Sequence, residues 1–116
     1  MVANFDPVSK PGTHWVAMYA PNTFHVYYFD STGGDGVENL NDYMKNHFPM
    51  TTKQHMPLQH PKTKVCGHYA LYFIYMSARG TPFETIERFL TRIKHPDVHV
   101  YNFIEQIFPT TKRRRQ

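Results

Sequence analysis

The sequence predicts an α+β fold in which strands come first and helices follow, with one more strand between them. Three observations carry this. Residues 14–20 and 24–30 are rich in aromatic and β-branched side chains and are separated by the turn-prone Pro21-Asn22-Thr23, the pattern of an antiparallel hairpin. Residues 65–79 form the longest apolar segment with helical periodicity. Two further stretches, 83–93 and 97–107, repeat apolar residues at the same spacing. The expected architecture is a small, mostly antiparallel sheet packed against a central helix that begins at Cys66, with further helices C-terminal to it.

Taken in order, Val2 to Phe5 reads as the remnant of a strand, and Asp6-Pro7 and Pro11-Gly12 punctuate the residues between it and the hairpin. After the hairpin, Ser31-Thr32-Gly33-Gly34-Asp35-Gly36 carries strong turn chemistry. It lacks the lysine of a phosphate-binding loop, so it is read as a turn alone. Val37, Leu40, Tyr43 or Met44, and Phe48 recur at helical spacing, and Pro49 closes that helix. Thr52 to Leu58 is expected to be a short, half-polar strand, and Gln59 to Lys64 a polar loop.

In the central helix Ala70, Phe73, Ile74 and Ser77 share one stripe, and Gly80 is placed to end it. Thr81 is expected to cap the next helix, with Pro82 at its first position. That helix presents Phe83, Ile86, Phe89 or Leu90, and Ile93, and Pro96 breaks it. The last helix, from Asp97, carries Val100, Phe103, Ile104 and Ile107 inward as far as Pro109.

A chain of 116 residues is expected to form one domain, here 1–109, followed by a basic, disordered tail at 110–116. No apolar run approaches the ~20 residues of a membrane span, and no signal-peptide pattern opens the chain. With one cysteine the chain forms no internal disulfide, which fits a reducing compartment. The 13 Lys+Arg against 9 Asp+Glu leave a net charge of +4, and Lys112, Arg113, Arg114 and Arg115 account for all of it. The high isoelectric point is therefore a property of the tail. Its readings are a solvated end, a nuclear-import signal or a nucleic-acid contact.

The chemistry centres on Cys66. It opens the central helix, where unpaired amides and the helix dipole favour a thiolate. Lys62 and Lys64 precede it, and Gly67 leaves room for a carbonyl to approach. His14 lies at the mouth of the first hairpin strand and Asp30 at the end of the second, so the two come near the same end of paired strands. Gln59, seven residues before Cys66, can form an oxyanion hole with the Cys66 amide if its loop folds over the helix start. A thiolate that attacks, an imidazole that moves the proton, a carboxylate that orients it and an amide that steadies the oxyanion make up thiol acyl transfer. The competing readings are a buried structural cysteine, a turn-starting Asp30 and a loop amide at Gln59. His68 is a rival base, but two residues along a helix from Cys66 it points elsewhere. No histidine or cysteine pair shows zinc spacing together with a plausible second half, so no metal is expected.

Gly12-Thr13-His14-Trp15, an aromatic strand ending in Asp30-Ser31, and Gln59 seven residues before Cys66-Gly67 resemble the adenovirus-type cysteine endopeptidases (adenain), relatives of the SUMO-deconjugating Ulp-like proteases. The resemblance covers Val2 to about Pro82. It implies His14 as base, Asp30 as orienter, Cys66 as nucleophile, Gln59 as oxyanion donor, and Trp15 as a wall of the site. It also implies a fold shortened at its N-terminus, because the family's domains carry helices and a strand before the histidine. The acid is Asp, as in the SUMO proteases, where adenain has Glu. Adenain is activated by DNA and by a peptide disulfide-bonded to a second cysteine. With no second cysteine here, a disulfide-linked peptide cofactor is not expected, no cofactor is required, and DNA stays as a candidate activator.

These readings converge on a viral or transposon-derived cysteine endopeptidase that cleaves precursor proteins during virion maturation, in the host nucleus and virion or in the cytoplasm, and not secreted. The alternatives are a deconjugating protease for a ubiquitin-like modifier, an acetyltransferase with the same triad order, and a truncated, inactive remnant that binds nucleic acid through its tail.

Overall fold

The computed structural model describes residues 2–4, 15–34, 38–54, 57–59 and 65–108. Among these residues four strands and four helices succeed one another as β1 (Val2–Asn4), β2 (Trp15–Tyr19), β3 (His25–Phe29), α1 (Glu38–His47), β4 (Met50–Lys53), α2 (Cys66–Ala78), α3 (Phe83–Arg92) and α4 (Pro96–Ile107). The sheet order is β1-β2-β3-β4. β1 and β2 pair antiparallel, as do β2 and β3, whereas β3 and β4 run parallel. The α+β class, the mostly antiparallel sheet and the central helix that starts at Cys66 are as the sequence indicates.

Both faces of the sheet are covered, which explains why β2 and β3 are apolar at nearly every position and do not alternate cleanly. Val16, Met18, Val26 and Tyr28 face α1, where Met44 is buried among them with Leu40 and Phe48 at the margin. Ala17 and Phe29 face the other way, into a larger core with Tyr69, Ala70 and Phe73 of α2, Ile86 and Leu90 of α3, and Val100 and Ile104 of α4. Phe29 and Phe73 stack in this core with ring centroids 4.9 Å apart and planes 8° from parallel. Burying one such ring contributes about 1.5–3 kcal/mol.

α2 lies between β2 on one side and α4 on the other. A helix with two covered sides is apolar round most of its surface, and Cys66, Tyr69, Ala70, Tyr72, Phe73 and Ser77 are all buried. Its end is set by Gly80, at φ +95°, a left-handed conformation that costs any residue with a Cβ about 1–2 kcal/mol. The Gly80 N–H donates to Ser77 O and the Thr81 N–H to Met76 O, each at 3.0 Å. These bonds satisfy the last carbonyls of the helix.

Four local expectations are corrected. The fourth strand spans Met50–Lys53, not 52–58, because these residues pair with His25–Tyr28 of β3. Thr81 does not cap α3. Its amide is engaged in closing α2, and the extended Pro82 (φ −63°, ψ 149°) takes the N-cap place with no side-chain bond. Pro96 does not precede α4 but is its first residue, after His95, where its missing N–H costs no helical bond. Within α3, Leu90 is buried and Phe89 exposed, and in α4 Ile107 is exposed.

Candidate active site

Cys66 is the first residue of α2, and the Tyr69 N–H donates to Val65 O at 3.0 Å to close the first turn. The leading amides of any α-helix have no acceptor within it. They therefore place positive potential at the Cys66 end of α2. No acidic residue in the first turn offsets that potential.

Trp15 opens β2, the strand on which α2 packs. Its backbone N–H donates to Cys66 Sγ across 3.3 Å. A donor aimed at the sulfur adds to the same potential. The indole lies against the helix start, so that a Cβ added to Gly67 would stand 3.5 Å from Trp15 Cδ1. Cys66 is only 4% exposed, while Trp15 is 36% exposed. The indole is thus open to solvent while the sulfur is sheltered.

Asp30 and Ser31 continue β3 and are 2% and 1% exposed. Buried carboxylates and hydroxyls require partners. Asp30 Oδ1 accepts from the Thr32 N–H at 2.9 Å and from the Thr32 hydroxyl at 2.6 Å. The Gly33 N–H donates to Asp30 O at 2.9 Å, and Gly33 sits at φ +80° to complete the turn. This local bonding holds the carboxylate in one orientation. Gly34 comes close behind, since a Cβ there would stand 3.0 Å from Asp30 Oδ2.

Gln59 is brought to this turn by Ser31. The Leu58 and Gln59 N–H groups both donate to Ser31 O, at 2.8 and 3.0 Å. The Ser31 hydroxyl donates to Gln59 Oε1 at 2.6 Å. The same loop touches α2 one turn after Cys66, where the Tyr69 hydroxyl lies 3.5 Å from Leu58 O and 2.6 Å from Asp97 Oδ1 of α4. Burial first, and then the Asp97 carboxylate, raise the Tyr69 phenol well above its ordinary value. The phenol therefore stays protonated and donates. Burial also raises Tyr72. A groove of about 400 Å³ opens beside Gln59, with Lys94 and His95 on its rim.

The sequence-predicted site residues that are described thus fall into two groups: Trp15 with Cys66 and Gly67, and Asp30 and Ser31 with Gln59. The β2–β3 register, Ala17 opposite Phe29, sets Trp15 across from Ser31 when continued by two residues. His68 is engaged elsewhere, with Nε2 3.0 Å from Glu105 Oε2 and its ring against Tyr101. His14, Lys62 and Lys64, together with Lys112, Arg113, Arg114 and Arg115, lie outside the described residues. Among the described residues no cluster of three or more His, Cys, Asp or Glu side chains could hold a metal ion. In the same residues no helix is long and apolar enough to cross a membrane. Sequence reasoning names every residue of these two groups except Ser31 as a contact of Gln59. The turn motif marks Ser31, but nothing marks the partner of its hydroxyl.

The chain is 30% identical over 95 residues to a protein of Acanthamoeba polyphaga mimivirus named "Putative thiol protease", an alignment of 73% of this chain and 32% of that protein. The chain therefore spans about a third of the length of the curated relative it matches. No protein-family profile matches the chain. No solved structure matches it.

Proposed function

We propose that this chain carries the catalytic centre of a viral-type cysteine endopeptidase of the adenain and Ulp-like kind, acting on precursor polypeptides. One observation carries the reading. The amide that donates to Cys66 Sγ is the one that bonds Trp15 to His14. The covalent path from that donor to the candidate base is therefore a single peptide group. The similarity to a viral protein named as a thiol protease supports the same class.

In this reading His14 takes the proton of Cys66, and the thiolate attacks the scissile carbonyl. Asp30, oriented by its two bonds from Thr32, offers Oδ2 to the imidazole and stabilises the imidazolium. The Cys66 amide and the Gln59 side chain hold the developing oxyanion. His14 then protonates the leaving amine, and water releases the acyl group. DNA contact, through the basic run 112–115, belongs to the same reading.

The test is single-site labelling by a peptide carrying a C-terminal electrophile, because every covalent adduct on the only thiol must be at Cys66. Wild-type protein should be labelled and should cleave a matching peptide, and Cys66→Ala should do neither. Full cleavage by Cys66→Ala would eliminate the scheme.

A further inference from the structure

We infer that Ser31 is a positioning residue for the oxyanion hole: its hydroxyl fixes the Gln59 amide so that the NH2 group, and not the carbonyl, is directed toward the acyl oxygen formed at Cys66. The inference rests on the proposed acyl-transfer reading and deepens it. An amide side chain presents either of two nearly isosteric ends. Only one of them can donate to an oxyanion, and the wrong one would repel it.

The choice is dictated by the burial of Ser31. At 1% exposure its O–H is shielded from bulk solvent, and leaving a buried donor without an acceptor is costly. Gln59 Oε1 is that acceptor at 2.6 Å. Rotating the amide by a half turn would place an NH2 group against the hydroxyl and deprive the O–H of this acceptor. The backbone is tethered to the same residue, because the Ser31 carbonyl accepts from the Leu58 and Gln59 amides at 2.8 and 3.0 Å. Residue 59 is therefore pinned at main chain and side chain by one serine. That serine is the residue after Asp30, so the turn that orients the carboxylate also orients the amide.

The experiment compares wild type, Ser31→Ala, Gln59→Ala and the double variant on one peptide substrate. Gln59→Ala should lower kcat by about 10²–10³-fold, and Ser31→Ala by about tenfold, each with KM changed less than about twofold. The double variant should be no slower than Gln59→Ala, since without the amide there is nothing for the hydroxyl to orient. Multiplying penalties, or full activity in Ser31→Ala, would overturn the inference while leaving the protease reading intact. A second readout is independent of turnover. The side-chain 15N–1H2 signals of Gln59, assigned by their loss in Gln59→Ala, should shift in Ser31→Ala, and unchanged signals would overturn the inference. If wild-type protein neither cleaves nor takes label at Cys66, it is the protease reading that fails.

Discussion

The backbone N–H of Trp15 donates to Cys66 Sγ across 3.3 Å, joining residues 51 positions apart. It ties the first residue of β2 to the first residue of α2. Because the chain has one tryptophan and one cysteine, this contact can be followed with no engineering at all. Alkylating Cys66 with a bulky electrophile should move or quench the Trp15 emission, and the same reagent should leave the emission of Cys66→Ala unchanged. An unaltered spectrum after complete labelling of wild type would contradict the geometry.

Substitution at Gly67 should separate function from stability. A Cβ there would rest 3.5 Å from Trp15 Cδ1, an ordinary contact. Gly67→Ala should therefore fold with stability unchanged or raised by up to about 1 kcal/mol. It should nevertheless lower kcat/KM, because the methyl fills the space a substrate carbonyl needs beside Cys66. Denaturant midpoints and kinetics on one preparation test both halves. Wild-type kcat/KM in Gly67→Ala would remove the approach path from the account.

Asp30→Asn should cost kcat about 10³–10⁴-fold, as expected for an imidazole that loses the carboxylate orienting it. The turn itself should persist, since the Asn oxygen can still accept both Thr32 bonds. The expected loss of stability is within about 1 kcal/mol. Activity within twofold of wild type would show that Asp30 is only a turn residue.

Alkaline stability should fall in a defined direction. Folded-state phenol pKa values of Tyr69 and Tyr72 are raised, mainly by burial. Their contribution is fully present below the unfolded phenol value near 10 and is lost as pH climbs toward the folded values. Unfolding midpoints should therefore drop above about pH 10, and Tyr72→Phe should flatten that drop. Identical alkaline slopes for wild type and Tyr72→Phe would contradict the assignment.

The elements are legible in the sequence where one physical cause dominates. The hairpin, the three C-terminal helices and the Gly80 stop each rest on local pattern, and each appears. The sequence pattern misplaces the fourth strand because Met50–Lys53 is a strand through parallel pairing with β3, a non-local cause that no alternation announces. Thr81 shows the same limit, since its amide is needed to finish α2. At the proposed site, the residue types and order at 30, 59 and 66 are what the acyl-transfer reading picks out of the sequence. The Ser31–Gln59 bond is not, because a contact across 28 residues depends on where β3 ends and where the loop before α2 returns.

The central claim is that the imidazole of His14 activates the sulfur of Cys66. Its most direct test is the pH dependence of Cys66 alkylation by iodoacetamide in wild type and His14→Ala, both folded. Wild type should react rapidly well below the pH at which an ordinary thiol ionises, about 8.5, and His14→Ala should revert to the profile of an ordinary thiol. Superimposable profiles for the two proteins would contradict the account.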